Sequence, residues 1–307
     1  MNVFRLLSII SYLTMPSNTT SSFLSANLPV IGLFVAATLW GIFWYPLRLL
    51  DAQGLTGLWA TFLIYSSALL VGLPVLWMRR AALLEYRWLM LGIALANGWC
   101  NIAFILAMLE GTVVRVLLLF YLSPLWTVML SAILLKERPS RFEMAALALA
   151  MVGAFITLWD PALGIPSPQS RADWLAISAG MAFALSNVLV RKVQQVPVSL
   201  KTSVTWLGVV ILSGIGILMY GLPMPVVTPA LGVAVFALGA LGIMIMTWAV
   251  QYGVTHTPVH RSAVILLFEV VAGAISAQIL TSELVLAREW IGGVLILLAG
   301  WFTARGK

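Results

Sequence analysis

Residues 111–124 read GTVVRVLLLFYLSP, and residues 257–270 read TPVHRSAVILLFEV. The two stretches match at an offset of about 146 residues, which pairs Arg115 with Arg261 and Ser123 with Glu269. A second match, at an offset of about 143, aligns WGIFWYPLR at 40–48 with FALSNVLVR at 183–191. Because polar positions match in a consistent order, the chain is predicted to contain two repeats.

The composition sets the class of protein. Of 307 residues, 62% are hydrophobic and 9% charged, and the mean hydropathy is +1.05. A soluble domain carries ~25% charged residues, so this chain lacks the polar groups to cover a water-facing surface. One bilayer crossing takes ~20 apolar residues, and the length therefore accommodates about ten crossings. The composition predicts an all-α polytopic membrane protein and excludes a soluble enzyme, a receptor with a large ectodomain and a nucleic-acid-binding protein.

Apolar runs separated by charged residues, proline and glycine predict ten transmembrane helices. The predicted spans are 28–50, 56–77, 88–109, 112–135, 142–159, 172–190, 202–222, 230–252, 261–281 and 289–304. Each half holds five spans, an odd number, so the second repeat must be inverted in the membrane. The predicted organisation is an N-terminal cytoplasmic tail over 1–27, a first repeat over 28–160 and a second repeat over 172–304.

The basic residues predict the orientation of the chain. With alternating spans, thirteen of the 17 Lys and Arg residues fall on the side of the N-terminus, Lys201 among them as a loop residue. The other four are Arg48, Arg115, Arg171 and Arg288. Such a bias marks the cytoplasmic side, so both termini are predicted to be cytoplasmic. It also accounts for the formal net charge of +7 without a nucleic-acid partner.

Several short motifs resemble a known transporter repeat. They are Trp40-Gly41, Tyr121-Leu-Ser-Pro124 followed by Lys136-Glu137, and Leu267-Phe-Glu269 followed by Glu283. Together they resemble the EamA repeat of the drug/metabolite transporter superfamily, over roughly 30–304. The resemblance implies a ten-helix inverted-repeat fold, with spans 1–4 and 6–9 around a central cavity and spans 5 and 10 at the periphery. The chain departs from the family where Val270 replaces the proline that usually follows the glutamate.

Three charged residues are candidates for a gate or for coupling. Glu269 is the only acidic residue well inside a predicted span, and an ionised carboxylate there is costly unless it is neutral, paired or hydrated. It is predicted either to couple protons or bind an amine, or to hold a neighbouring helix as a neutral hydrogen-bonding group. Arg115 and Arg261 each precede their matched polar residue by eight positions. We predict that they lie at opposite mouths of the cavity and attract a substrate carboxylate, although Arg261 also fits a simple cytoplasmic anchor.

Aromatic and amide side chains at helical spacing predict the wall of a cavity for a small amphipathic or aromatic ligand. The predicted substrate-binding residues are Trp40, Trp44, Tyr65, Asn97, Asn101, Tyr121, Ser123, Asn187, Trp248, Gln251, Tyr252 and Glu269. Taken singly, each aromatic residue fits packing against lipid or core better than binding, and it is the cluster as a whole that favours a cavity wall.

No cofactor or metal is predicted. Cys100 is the only cysteine and falls in an apolar span, where it is expected to be a small packing residue. His256 and His260 are spaced like metal ligands, but no third ligand is near, so solvated loop histidines are expected. The chain lacks G-x-S-x-G with a histidine, H-E-x-x-H, paired intramembrane Asp and a Walker motif, so it is not expected to be an enzyme or to use ATP directly.

The sequence therefore predicts a secondary transporter of the bacterial inner membrane that exports small organic metabolites by alternating access. Amino acids are the favoured substrates, aromatic ones first. One alternative is a proton-coupled exporter of drugs, amines or nucleosides, and a more distant one is an intramembrane enzyme. The expected partners are the small-molecule substrate and the lipid bilayer; the sequence leaves the oligomeric state open and is compatible with a monomer.

Overall fold

The structure, a computed structural model, describes residues 18–55, 57–111, 113–159, 168–280 and 286–305. All regular secondary structure in these ranges is helical, and none of their residues forms a strand. The helices are Asn18–Ile42, Trp44–Asp51, Gly57–Met78, Arg80–Glu85, Arg87–Glu110, Val113–Phe120, Ser123–Leu134, Arg141–Leu158, Arg171–Lys192, Val198–Tyr220, Pro229–Ala237, the π-helical turn Leu238–Ile243, Met244–His256, Val259–Leu266, Phe268–Leu280 and Ala287–Arg305.

Nine helical segments of the described residues are long and apolar enough to cross a membrane. We number them spans 1 to 9: Asn27–Asp51, Gly57–Met78, Arg87–Glu110, Arg115–Leu134, Arg141–Leu158, Arg171–Lys192, Val198–Tyr220, Pro229–His256 and Val259–Leu280. Their ends lie within four residues of the predicted ones. Helix Ala287–Arg305, which we call the C-terminal helix, occupies the position of the tenth predicted span but is not one of these nine.

The outer surface of the bundle carries many large apolar side chains. Leu70, Ile133 and Val233 are each more than half exposed, and tryptophans such as Trp77 and Trp88 are exposed near span ends. In hydrocarbon no water can bond to the backbone, so the peptide groups must pair within the protein, and continuous apolar runs of ~20 residues do so as helices. The all-helical architecture therefore follows from the composition.

The spans of the two halves interlock. Span 3 packs against span 6 as span 8 packs against span 1, and span 4 packs against span 6 as span 9 packs against span 1. Span 2 packs against span 7, and span 5 against the C-terminal helix. Each of these contacts therefore has a counterpart in which both helices are replaced by the helices five places away along the chain.

Glycines allow the closest helix crossings. A Cβ on Gly98 would lie 2.6 Å from the Gly208 carbonyl oxygen, and one on Gly208 would collide with the Ala94 carbonyl, so spans 3 and 7 meet backbone to backbone. Likewise, a Cβ on Gly41 would lie 2.6 Å from the carbonyl oxygen of Glu269, where span 1 crosses span 9. Small residues at such crossings replace the hydrophobic driving force that lipid does not supply.

Spans 4 and 9 are both interrupted near their middle. Helices Val113–Phe120 and Ser123–Leu134 are separated at Tyr121 and Leu122, and helices Val259–Leu266 and Phe268–Leu280 are separated at Leu267. Tyr121 and Leu267 are matched positions at the 146-residue offset. Pro124 accounts for the first interruption, because a proline cannot donate a helical hydrogen bond. The second interruption forms without the family proline. Here two backbone hydrogen bonds span three residues instead of the four of an α-helix, from Leu267 N to Val264 O (3.2 Å) and from Val270 N to Leu267 O (3.1 Å).

The crossing of spans 3 and 7 gives a direct test of the packing. We expect Gly208→Ala to lower the stability of the protein in detergent by about 1–3 kcal/mol, because the added methyl group forces two backbones apart. Gly232→Ala is the matched control, since a Cβ there meets only the Val227 side chain at 3.7 Å. Thermal unfolding of the two variants measures the difference, and equal melting temperatures would contradict the crossing.

Candidate functional site

A narrow cavity lies between spans 4, 6 and 9, where the two interrupted helices meet. It is lined by Phe120, Tyr121, Ser123, Pro124, Thr127, Phe183, Ala263, Leu266, Leu267 and Glu269. Its free volume is about 20 Å³, roughly the space of one water molecule. Any larger ligand therefore requires these three spans to move apart.

The interruptions decide which side chains face this cavity. Ser123 begins helix Ser123–Leu134, and its carbonyl oxygen accepts a hydrogen bond from Thr127 Oγ1 at 2.9 Å. Glu269 lies in the first turn of helix Phe268–Leu280. Peptide N–H groups at a helix N-terminus carry partial positive charge, which favours a carboxylate there. The break in span 9 thus gives Glu269 an environment that an uninterrupted helix would not supply.

Glu269 belongs to a central group of side chains from spans 2, 3, 4 and 9. Tyr121 interacts with its carboxyl group, and the buried Cys100 is within its electrostatic range. On the neighbouring side of Cys100, the buried Tyr65 interacts with Asn101. The structure therefore brings together four predicted site residues, Tyr65, Asn101, Tyr121 and Glu269, and places Ser123 on the same cavity wall.

Two other predicted residues, Asn97 and Gln251, meet in a separate buried polar network. Asn97 Nδ2 donates to Ser186 Oγ and, at 3.2 Å, to Thr205 Oγ1. Gln251 Nε2 donates to the same Thr205 hydroxyl at 2.6 Å. This network joins spans 3, 6, 7 and 8. Asn187, next to Ser186 in span 6, is also buried.

Trp40 and Trp44 pack at the crossing of span 1. Trp44 Nε1 donates to Ser276 Oγ of span 9 at 2.9 Å, and Ser276 Oγ also lies 3.4 Å from the Gly41 carbonyl oxygen. Trp40 contacts Phe43 edge to face, with ring centroids 5.5 Å apart. Trp44 thus fixes span 1 against span 9, while Trp40 packs against the apolar core.

Trp248 and Tyr252 lie on the outer surface of span 8. Trp248 is 46% exposed and stacks on Tyr252 with ring centroids 5.0 Å apart. Tyr252 in turn contacts the exposed His256. The prediction grouped these aromatics with Gln251, but the structure buries Gln251 and leaves Trp248 on the surface.

Arg115 forms a double hydrogen bond with Asp173 of span 6. Arg115 Nε lies 2.7 Å from Oδ1, and Nη2 lies 3.0 Å from Oδ2. Asp173 also accepts from the backbone N–H groups of Gln169 (2.8 Å) and Ser170 (3.0 Å). Its side chain is 2% exposed. The guanidinium is thus held by a carboxylate of the protein at this end of the bundle, which we call the Arg115 end.

Arg261 is held in a similar way at the opposite end, which we call the Arg261 end. Its Nε lies 2.5 Å from Glu143 Oε1 of span 5, and His260 Nε2 lies 3.0 Å from the same oxygen. The sequence predicted both histidines to be solvated. For His260 this is wrong, because it is buried against Glu143 where span 9 begins. Glu143 also completes a capping box with Ser140.

The most buried charged side chain of the described residues, that of Lys201, was not among the predicted site residues. Lys201 was predicted to lie in a cytoplasmic loop, but helix Val198–Tyr220 begins before it, and its side chain is 0% exposed. Nearby, Arg191 Nε lies 3.0 Å from Glu137 Oε1, and Val259 N donates to Glu137 Oε2 at 3.3 Å. The one sequence signal for this site was the helical spacing of Lys201 with Thr205 and of Gln251 with Thr255, which places polar groups on inward faces of spans 7 and 8.

Among the described residues, no group of three or more His, Cys, Asp or Glu side chains is placed to hold a metal ion. Glu283, which the repeat matches with Glu137, lies outside the described residues.

The Arg115–Asp173 pair can be tested by a double-mutant cycle. We expect Arg115→Gln and Asp173→Asn each to destabilise the protein by about 2 kcal/mol or more, because each removes one side of a double hydrogen bond to a carboxylate that is 2% exposed. The double variant should lose less than the sum. Glu110→Gln is the control, since its ion pair with Arg171 is 3.4 Å long and exposed, and it should cost under about 1 kcal/mol. Additive losses in chemical unfolding would argue against the pair.

The first half of the chain is similar to a known transporter family. Residues 27–159 match the EamA-like transporter family. A solved structure, described only as a crystal structure of a protein, superimposes with a TM-score of 0.70 at 20% sequence identity, covering 89% of this chain and 95% of that chain. At that identity the likeness shows the fold alone. No curated protein matches significantly. With nine helices of the described residues able to cross a membrane, the chain is a multi-pass membrane protein, and its residues 27–159 are similar to EamA-type permeases of the drug/metabolite transporter superfamily.

Proposed function

We propose that this protein is a secondary transporter that exports small organic metabolites across a bacterial inner membrane, with amino acids, aromatic ones first, as substrates. The observation that carries the proposal is the position of Glu269 in a cavity with aromatic walls. Phe120, Tyr121 and Phe183 line the same space as this carboxylate. A carboxylate can receive the ammonium group of an amino acid, while aromatic rings accept an apolar side chain and the face of a cation.

The architecture proposed for transport is two inverted five-helix repeats, 28–160 and 172–304, with both termini in the cytoplasm. Two features support it. The interruptions of spans 4 and 9 fall at matched positions, and the helix pairs map onto each other when each helix is exchanged for the one five places away. In such transporters the substrate binds near the midplane between the repeats.

Ion pairs at both ends connect the proposed repeats. Arg115–Asp173 connects them at one end, and Glu143–Arg261 and Glu137–Arg191 at the other. We propose that these pairs are the gates, and that they break in turn as the cavity opens to one side and then to the other. Because both arginines already bind a carboxylate, they act as closures of the gates in this conformation.

A second candidate is an exporter of organic amines that carry no carboxylate. The observation that favours it is the charge of the cavity wall. Glu269 is the charged side chain that lines the cavity, while Arg115 and Arg261 are engaged with Asp173 and Glu143. A single carboxylate among aromatic rings also suits an aromatic cation.

Counterflow in proteoliposomes separates the two candidates. We expect labelled phenylalanine to exchange and to be competed by tryptophan and tyrosine more strongly than by phenethylamine, which lacks the carboxylate, or by phenylacetate, which lacks the amine. Stronger competition by phenethylamine would support the amine exporter. If neither labelled phenylalanine nor labelled phenethylamine exchanges, both substrate classes are wrong.

Glu269 is also the proposed proton carrier of the cavity. We expect Glu269→Gln to abolish uptake driven by a pH gradient, because an amide cannot take up and release a proton, while leaving measurable counterflow. Glu85→Gln is the matched control, since Glu85 is exposed in helix Arg80–Glu85. Full pH-driven flux in the Glu269 variant would exclude proton coupling through this residue.

A further inference from the structure

The ammonium of Lys201 is buried in the core near the Arg261 end, although it lies only three residues after the start of helix Val198–Tyr220. Taking an ammonium group out of water costs several kcal/mol unless other groups replace its hydration. The protein must therefore supply groups around this ammonium that replace its hydration.

The groups that replace water around Lys201 are all oxygen atoms. Its Nζ donates to Thr255 Oγ1 at 2.6 Å, to Val190 O at 3.3 Å and to Val193 O at 3.4 Å. The two carbonyls belong to the last turn and the C-cap of helix Arg171–Lys192. Carbonyls at a helix C-terminus carry partial negative charge and are left without helical partners, so this end of span 6 favours a cation.

Within the part of the chain that the structure describes, no carboxylate forms an ion pair with Lys201. The charged side chain that acts on Lys201 is Arg191, which has the same sign. Arg191 is itself held by an ion pair with Glu137 and by a hydrogen bond of 2.6 Å to the Thr255 carbonyl oxygen. The charge of Lys201 is therefore met by dipoles alone, as the charge of a bound metal cation is in a site built from neutral oxygens.

The same oxygens connect three spans of the second half. Thr255 Oγ1 donates to the Gln251 carbonyl oxygen at 2.6 Å, and Gln251 Nε2 continues to Thr205 and through it to Asn97. The Lys201 ammonium thus ties the end of span 6 and the inner face of span 8 to its own span 7.

We propose that Lys201 is a tethered cation in a monovalent-cation site formed by Val190 O, Val193 O and Thr255 Oγ1. Backbone carbonyls at a helix C-terminus, together with side-chain oxygens, are ligands that transporters use for Na⁺. Here the side chain supplies the positive charge permanently. It holds spans 6, 7 and 8 together without a metal ion. When the lysine side chain is removed by mutation, the three oxygens should accept an alkali-metal cation instead.

The first test is the stability of purified variants in NaCl, KCl, LiCl and choline chloride at equal ionic strength. Lys201→Ala removes the charge and leaves room beside the three oxygens, while Lys201→Met removes the charge but fills the space. We expect both to melt about 5 °C or more below the wild type in choline chloride. An alkali-metal chloride should restore at least half of that loss, saturably, in the Ala variant only, and leave the wild type unchanged.

The outcomes are distinct. Lys201→Met as stable as the wild type would show that the charge ties nothing together, and a Lys201→Ala variant indifferent to the cation would show that the oxygens form no cation site. If Lys201→Ala does not fold in choline chloride, purification in each salt becomes the readout, with recovery in one alkali-metal salt as the expected result. These readouts use no substrate, so they stand whether or not the proposed function is right.

A second test, which rests on the proposed function, measures counterflow in the same salts. The wild type should exchange substrate equally with Na⁺ and with choline, whereas Lys201→Ala should exchange at least several-fold faster with the cation that stabilises it. If the wild type exchanges no substrate, the proposed function fails while the stability test still decides on the site. A wild type that itself requires Na⁺ would contradict the tethered cation.

Discussion

The absence of water around the bundle is the constraint on which the rest of this structure depends. A peptide group or charge that water cannot reach must find its partner within the protein. The helices satisfy the backbone, and the buried polar side chains pair with one another: Asn97 with Ser186 and Thr205, Arg115 with Asp173, and Arg261 with Glu143. Each pair joins different spans, so satisfying these groups also fixes which helices are neighbours.

The same constraint makes the helix interruptions informative. Breaking a helix in a membrane exposes peptide groups, which is tolerated where protein or a cavity surrounds them. Spans 4 and 9 break where they face each other across the cavity, and the break places Glu269 in the first turn of a new helix. An acidic residue at that depth and the free peptide N–H groups of an interrupted helix are each unfavourable alone. Here they lie together, and the N–H groups favour the carboxylate. An ionisable side chain beside an interrupted helix at that depth is a location that a transporter can use.

Local sequence signals were enough for part of this. Apolar run lengths placed the spans within four residues, because hydrophobicity is read along the chain. The aromatic and amide pattern predicted a cavity wall that included Ser123 and Glu269, and both residues line one cavity, each just after the interruption of its span. The partners of Arg115 and Arg261 were not predicted, since Asp173 and Glu143 are distant in sequence and become neighbours through helix packing.

Lys201 was assigned to a loop because a lysine at a span end usually reaches toward water. Its inward direction depends on acceptors in spans 6 and 8, which no local pattern reveals. Helical spacing likewise put Trp248 near Gln251 along the chain but could not show which face neighbouring helices cover.

The break at Leu267 forms without a proline, and this has a consequence for how such chains change over time. A bend caused by a proline ring depends on one residue, whereas a bend maintained by neighbouring helices depends on many contacts. Span 9 is held by the close approach of Gly41 and by the hydrogen bond from Trp44 to Ser276, both from span 1. Its own residues are therefore free to lose the signature of the motif while the shape persists. For the two repeats proposed above, this means that one copy can keep the motif while the other loses it, so that the similarity of the halves persists in the structure after it has faded from the sequence.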